Sequence, residues 1–141
     1  MNRAPKLLFD SIQSFDDLNS LIESGETENI YLECKAPSSP KISPEVKVHM
    51  AKAISGFSNT EGGVVIWGLS TTKHSHSGLD VITQIEPVGT CRDFEKKFMK
   101  AAPSLSIPAI TNIESKPECG QLIRENCGRF VTALDGTGWY W

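Results

Sequence analysis

Two glutamates and a lysine bracket a short alternating segment of this chain: Glu28, Glu33 and Lys35. Closely spaced carboxylates are the groups that hold magnesium or manganese, and such a metal stabilises charge developing on a phosphate. A metal-dependent nuclease would need Glu28 and Glu33 to converge on such an ion. Five residues apart on a straight strand, they point to opposite faces. They converge only if Glu28 lies in the turn before the strand. Glu61 and Asp80 could stand as a third ligand, but no spacing selects either. The alternative without metal is a solvated Glu28 and a same-face ion pair between Glu33 and Lys35, worth at most about 1 kcal/mol.

A second chemistry is phosphate binding. Lys35, Lys41, Lys47 and Lys52 border the stretch Asn59-Thr60-Glu61-Gly62-Gly63, and Lys73, His74 and His76 add a basic hairpin tip. Lysine contacts to phosphate supply affinity without sequence information. The same lysines would equally serve solubility. Gly62 and Gly63 let a helix turn sharply into a strand and leave room for a ligand to approach the backbone. Asn59 and Thr60 would brace that turn through side-chain to backbone hydrogen bonds. His74-x-His76 lacks a third metal ligand nearby. Arg92, Lys96, Lys97 and Lys100 read most simply as a solvated helix face. No Gly-Lys-Ser/Thr follows the glycines, so they do not form a P-loop, and no nucleophilic triad stands out.

These residues need elements to position them. Ser14 caps a helix with Asp16 and Asp17 in its first turn, Phe15, Leu18, Leu21 and Ile22 at helical spacing, and Gly25 at its end. Residues 29–35 alternate as a strand, with Ile30, Leu32 and Cys34 on one face and Tyr31, Glu33 and Lys35 on the other. Residues 36–42 read as a loop. Ser43 caps a second helix that opens on Pro44 and carries the apolar stripe Val46, Met50, Ala53, Ile54 and Phe57. Val64 to Leu69 predict a central strand, residues 70–78 a hairpin connection, and Leu79 to Ile85 its return. A third helix spans Thr90 to Ala102 with Phe94, Phe98 and Met99 inward. Ile107 to Ile113 reads as an edge strand broken by Pro108, with short strands at 121–124 and 129–134.

The 141 residues suit a single domain, 1–141, with ordinary apolar and charged content (39% and 22%). No apolar run approaches a membrane span and the N-terminus lacks a signal-peptide core, which points to a cytoplasmic protein with no membrane partner. Cys34, Cys91, Cys119 and Cys127 show no CxxC spacing and read as reduced thiols before metal ligands or disulfides. A net charge of −3 excludes a broadly basic nucleic-acid coat. Any nucleic-acid binding needs a local basic face.

Glu28-x4-Glu33-Cys34-Lys35, the helix ending in Ile54-Ser55-Gly56-Phe57-Ser58-Asn59-Thr60-Glu61-Gly62-Gly63, and the strand closed by Gly68 together resemble the AlbA-like domain of the Schlafen family. The match is best over residues 20–85. The resemblance implies an α+β domain, a small mixed β-sheet with two to three packed helices, that binds DNA or RNA. It also implies a regulatory module. Some animal relatives cleave transfer and ribosomal RNA with three carboxylates that hold divalent metal. The first two match Glu28 and Glu33; the third falls near Ser70 or Thr71, where this chain has no acid. The expected function is therefore phosphate-backbone binding by Lys35, Lys47, Lys52 and Lys73 around the turn of Asn59, Thr60, Gly62 and Gly63, without a required cofactor. A magnesium- or manganese-dependent endoribonuclease using Glu28 and Glu33 is the alternative. A protein-interaction module, self-associating as a homodimer, is the second.

Overall fold

The computed structural model describes residues 4–29, 31–36, 43–58, 62–86, 88–89, 91–105, 113–118 and 127–134. Two short helices come first, α1 (Ala4–Ser11) and α2 (Phe15–Glu23). Ser14 and Asp17 form a reciprocal capping box at the start of α2, which satisfies amide groups a helix end otherwise leaves without partners. The chain then enters β1 (Leu32–Lys35), crosses through α3 (Pro44–Ser58) and returns as β2 (Gly63–Trp67), which lies parallel to β1. Ser43 Oγ accepts from Val46 N–H at the start of α3, with Pro44 as first helical residue, where its missing N–H costs nothing.

Beyond β2, Gly68 takes φ of 111° and bends the chain into β3 (Leu69–Lys73), which pairs with β4 (Asp80–Ile85). A two-residue strand β5 (Val88–Gly89), helix α4 (Cys91–Ala101) and a 3-10 turn (Ala102–Leu105) follow. The last elements are β6 (Ile113–Glu118) and β7 (Cys127–Leu134). Strand β7 runs antiparallel between β2 and β6, and its first residues pair with β5. The sheet therefore mixes one parallel pair with antiparallel neighbours, and helices cover both its faces. The fold class is α+β, as the sequence implies.

Alternation along β2 divides the core in two. Val65 and Trp67 face α3 and α4, where Met50, Ile54, Phe94 and Phe98 are buried against them. Val64 and Ile66 face the other way, onto Phe9, Ile12 and Leu18 of the α1–α2 layer. The Trp67 ring meets Phe94 and Phe98 at centroid distances of 5.7 and 5.6 Å in tilted and edge-on geometry, which aromatic quadrupoles favour.

Several expectations shift. Helix α1 is an addition to the two or three helices expected, its pattern too short to stand out. The strand expected to run through Leu69 ends at Trp67, because Gly68 breaks it and Leu69 opens β3. Residues 70–73, expected in a loop, are strand; cross-strand pairing, including Thr72 Oγ1 to Thr83 Oγ1 at 3.0 Å, decides their conformation. Tyr31 precedes β1 and packs with the Leu32–Cys34 side rather than with Glu33 and Lys35. Met99 is exposed, not inward. The strand expected over Ile107 to Ile113 lies outside the described residues except for Ile113, which opens β6. Strand β7 exceeds the short strand expected at 129–134 and is internal to the sheet. The expected loop at 37–42, the strand at 121–124 and the Trp139-Tyr140-Trp141 end lie outside the described residues.

The helix-to-strand connection explains one glycine by packing. Gly62 N–H donates to Phe57 O at 3.0 Å with φ of 92°, closing α3. A Cβ on Gly63 would run into the Phe57 ring. Gly63→Ala should therefore cost about 1–3 kcal/mol by overpacking. Gly56→Ala meets open space in mid-helix and should stabilise by about 0.5–1 kcal/mol. Urea denaturation of the two variants checks both signs.

Candidate functional site

Residues 26–29 form a lead-in to β1 that is pinned to β4. Ile82 N–H donates to Glu26 O at 2.8 Å, Glu28 N–H donates to Asp80 O at 2.9 Å, and Thr27 bridges Val81. Asn29 then turns the chain: its Oδ1 accepts from Tyr31 N–H at 2.9 Å, and its backbone exchanges hydrogen bonds with Leu32. The turn folds Glu28 back alongside β1. Cys34 N–H donates to Glu28 Oε1 at 2.8 Å. Among the described residues β1 has a strand partner on one side, β2, and this carboxylate satisfies an amide of β1.

Glu28 is thus half-buried and hydrogen-bonded, and the solvated role expected for it does not hold. Burial is the largest influence and raises its pKa above the ordinary 4.5. The Cys34 N–H bond opposes that, Glu33 and Asp80 raise it further, and Lys35 lowers it. Glu28 lies before the strand, which is the condition set for convergence with Glu33. Asp80, which no local spacing singled out, is the acid that tertiary structure adds beside them. Glu33 is engaged: Lys35 Nζ sits 3.0 Å from its Oε1, both side chains about one-third exposed (32% and 30%). The expected same-face ion pair is present.

Whether these carboxylates suit a divalent metal turns on their free oxygens. Glu28 Oε1 accepts from an amide and Glu33 Oε1 is held by an ammonium. Among the described residues no three His, Cys, Asp or Glu side chains form a group that could hold a metal ion. Ser70 and Thr71, half-buried on β3 at a register shift, supply no carboxylate. These contacts engage one oxygen of each carboxylate, Glu61 lies outside the described residues, and no hydrolytic step is assigned to the arrangement. Cys34, a free and buried thiol, is pushed up strongly by burial and by Glu28 and Glu33. It stays protonated and is no nucleophile.

The phosphate-binding candidates separate. Lys47 and Lys52 are exposed on α3, and Lys73 is exposed at the end of β3. Gly62 and Gly63 are buried, and the Phe57 ring fills the space beside Gly63 that the sequence leaves open for a ligand. Asn59, Thr60, Glu61 and Lys41 lie outside the described residues. The hairpin tip is braced internally: His74 Nδ1 accepts from His76 N–H and Ser77 N–H at 3.3 and 3.2 Å.

No protein-family model and no curated protein sequence matches the chain. Among solved structures it is similar to the N-terminal domain of a protein from Nitrosomonas europaea, named for its relation to the ATP-dependent DNA helicase RecG. The TM-score is 0.51 at 18% identity, over 96% of this chain and 72% of that one. The likeness is one of fold. It spans both helix layers and the sheet rather than the β1–α3–β2 unit alone. Among the described residues, no helix is long and apolar enough to cross a membrane.

Because folding raises the Glu28 pKa, its protonated form is the one the fold prefers. Its contribution to stability is full below pH 4.5 and is lost as pH rises through the raised value. Glu28→Gln keeps the acceptor and should flatten this dependence, becoming more stable relative to wild type as pH approaches neutrality. Glu28→Ala leaves the Cys34 amide without its acceptor and should cost about 1 kcal/mol. Thermal unfolding from pH 4 to 7 reads both.

Proposed function

We propose that this chain is a nucleic-acid-binding domain that holds the phosphate backbone of DNA or RNA. On this reading residues 1–141 act as one regulatory module of the Schlafen AlbA-like kind. The observation that carries the reading is the state of its lysines. Lys47, Lys52 and Lys73 are exposed and none has an ion-pair partner among the described residues. Surface ammonium groups in that state are free to replace counterions on a polyanion. Lys35 contributes by exchanging Glu33 for phosphate. The strand, crossover helix, glycine turn and strand of β1–α3–β2 occur in the order that the resemblance requires. The name of the structurally similar Nitrosomonas protein, which refers to a DNA helicase, agrees with a nucleic-acid partner.

The buried Gly62 and Gly63 take a supporting role here. They fix where α3 ends and so where Lys47 and Lys52 stand, while exposed side chains make the contacts.

Labelled duplex DNA and structured RNA, titrated with the protein at 50 and 200 mM salt, test the reading. Affinity should fall steeply with salt, and Lys47→Gln with Lys52→Gln should weaken binding and reduce the logarithmic slope by about 2. Magnesium or manganese in the same incubations, with products run on a denaturing gel, should leave the substrates intact. Cleavage abolished by Glu33→Gln would restore the nuclease alternative. Absence of binding at low salt would leave the interaction module.

A further inference from the structure

The net charge of −3 conceals a segregation. Between Lys6 and Lys35 the chain has seven carboxylates and no lysine or arginine, so all other residues together carry +4. Four of those carboxylates, Asp10, Asp16, Asp17 and Glu23, lie on α1 and α2. Lys6 is the sole base on these two helices, which leaves the layer at −3. The opposite layer has the reverse sign. Glu45 against Lys47 and Lys52 leaves α3 at +1. Asp93 and Glu95 against Arg92, Lys96, Lys97 and Lys100 leave α4 at +2. The two layers pack on opposite faces of one sheet, α3 and α4 over Val65 and Trp67, α1 and α2 over Val64 and Ile66.

We infer that the outer surface of the α3–α4 layer is the docking face for double-stranded nucleic acid, with Lys52, Lys96 and Lys100 as its phosphate contacts and Lys47 at its flank. This deepens the function proposed above and rests on it. The row on α4, read from sequence as a solvated helix face, becomes part of the site.

Three observations select this face. First, Lys52 lies across α3 from the stripe of Val46, Met50, Ala53 and Ile54, and Lys96 and Lys100 lie across α4 from Phe94 and Phe98; all three are exposed. None has an ion-pair partner among the described residues, whereas Lys97 is held by Asp93 at 2.9 Å. Among the described acids on this side, Asp93 is paired, Glu95 is half-buried, Glu33 is neutralised by Lys35, and Glu45 lies 3.7 Å from His49. Second, the α1–α2 layer at −3 repels phosphate, so the charge asymmetry turns the α3–α4 side toward a polyanion during approach. Third, what this face presents among the described residues is a set of placed ammonium groups, which is what duplex backbone binding needs. Lys96 and Lys100 are separated by about 6 Å of helix rise. One strand of a duplex places phosphates about 3.4 Å apart along its axis, so the two lysines reach separate groups. Lys100 also lies in the last turn of α4, where the helix dipole favours a cation; Lys96, mid-helix, has no such structural reason.

The test is duplex binding by the whole chain across a salt series. The variants are the triple Lys52→Gln, Lys96→Gln, Lys100→Gln and, on the acidic layer, the single Lys6→Gln; these are exposed positions, and circular dichroism confirms their folding. The triple variant should bind duplex DNA or RNA at least about tenfold more weakly and lower the logarithmic salt slope by about 2 to 3. The Lys6 variant should change the slope by less than about 1. A triple variant that binds duplex like wild type would overturn the face and leave nucleic-acid binding standing. Tighter binding of an unstructured single strand than of the duplex would overturn the choice of partner. A wild-type chain that binds neither at low salt would remove the proposed function and this face with it.

Discussion

Strand β2 is five residues long and buried along its whole length, and the rest of the domain is arranged around that fact. A strand covered on both faces cannot leave backbone groups to water, so each side must be paired. β1 supplies one side in parallel and β7 the other in antiparallel. A parallel pair needs a long crossover, and α3 provides it while burying its stripe on Val65 and Trp67. Val64 and Ile66 need a second apolar layer, which α1 and α2 provide. One short apolar run thereby dictates a three-layer domain.

The glycines at the two ends of this strand set where neighbouring elements begin. Gly62 ends α3 with a positive φ, and Gly63 admits the Phe57 ring beside its Cα. Gly68 bends the chain out of the main sheet into the β3–β4 hairpin, with Gly68 N–H donating to Lys35 O at 2.7 Å and Glu86 N–H donating to Gly68 O at 2.8 Å. The hairpin is thus tied to the edge of β1, and its first β4 residue, Asp80, meets Glu28. Carboxylates gather at this corner as a consequence of edge satisfaction: Glu28 is recruited by an amide of β1, and Asp80 by its backbone bond to Glu28.

Charge follows layers rather than motifs. The helices on one side of the sheet are acidic and those on the other basic, and a mean value of −3 for the chain averages over both. Long-range fields respond to the separation rather than to the mean, so the acidic pI of the chain and a nucleic-acid partner are compatible.

Local rules sufficed where the deciding interactions lie within a few residues. The Ser14 cap, the Ser43-Pro44 opening of α3, the buried stripe of α3, the inward Phe94 and Phe98 and the Glu33–Lys35 pair were all legible, because helical phase, strand alternation and capping are set by near neighbours. The α+β class was implied too, by the resemblance that the motifs of these elements carry. Tertiary structure alone decided the rest. The position of β7 between β2 and β6 depends on pairings with residues far away in the chain, and its own sequence carries no sign of them. Whether Glu28 faces water or an amide depended on the turn that folds it back alongside β1, and the partnership of Glu28 with Asp80 on where the hairpin returns. The grouping of Lys52 with Lys96 and Lys100 depended on α3 and α4 sharing one face of the sheet. Sequence spacing specifies which residues share a face of one element; which elements share a face of the molecule is settled only when the chain closes on itself.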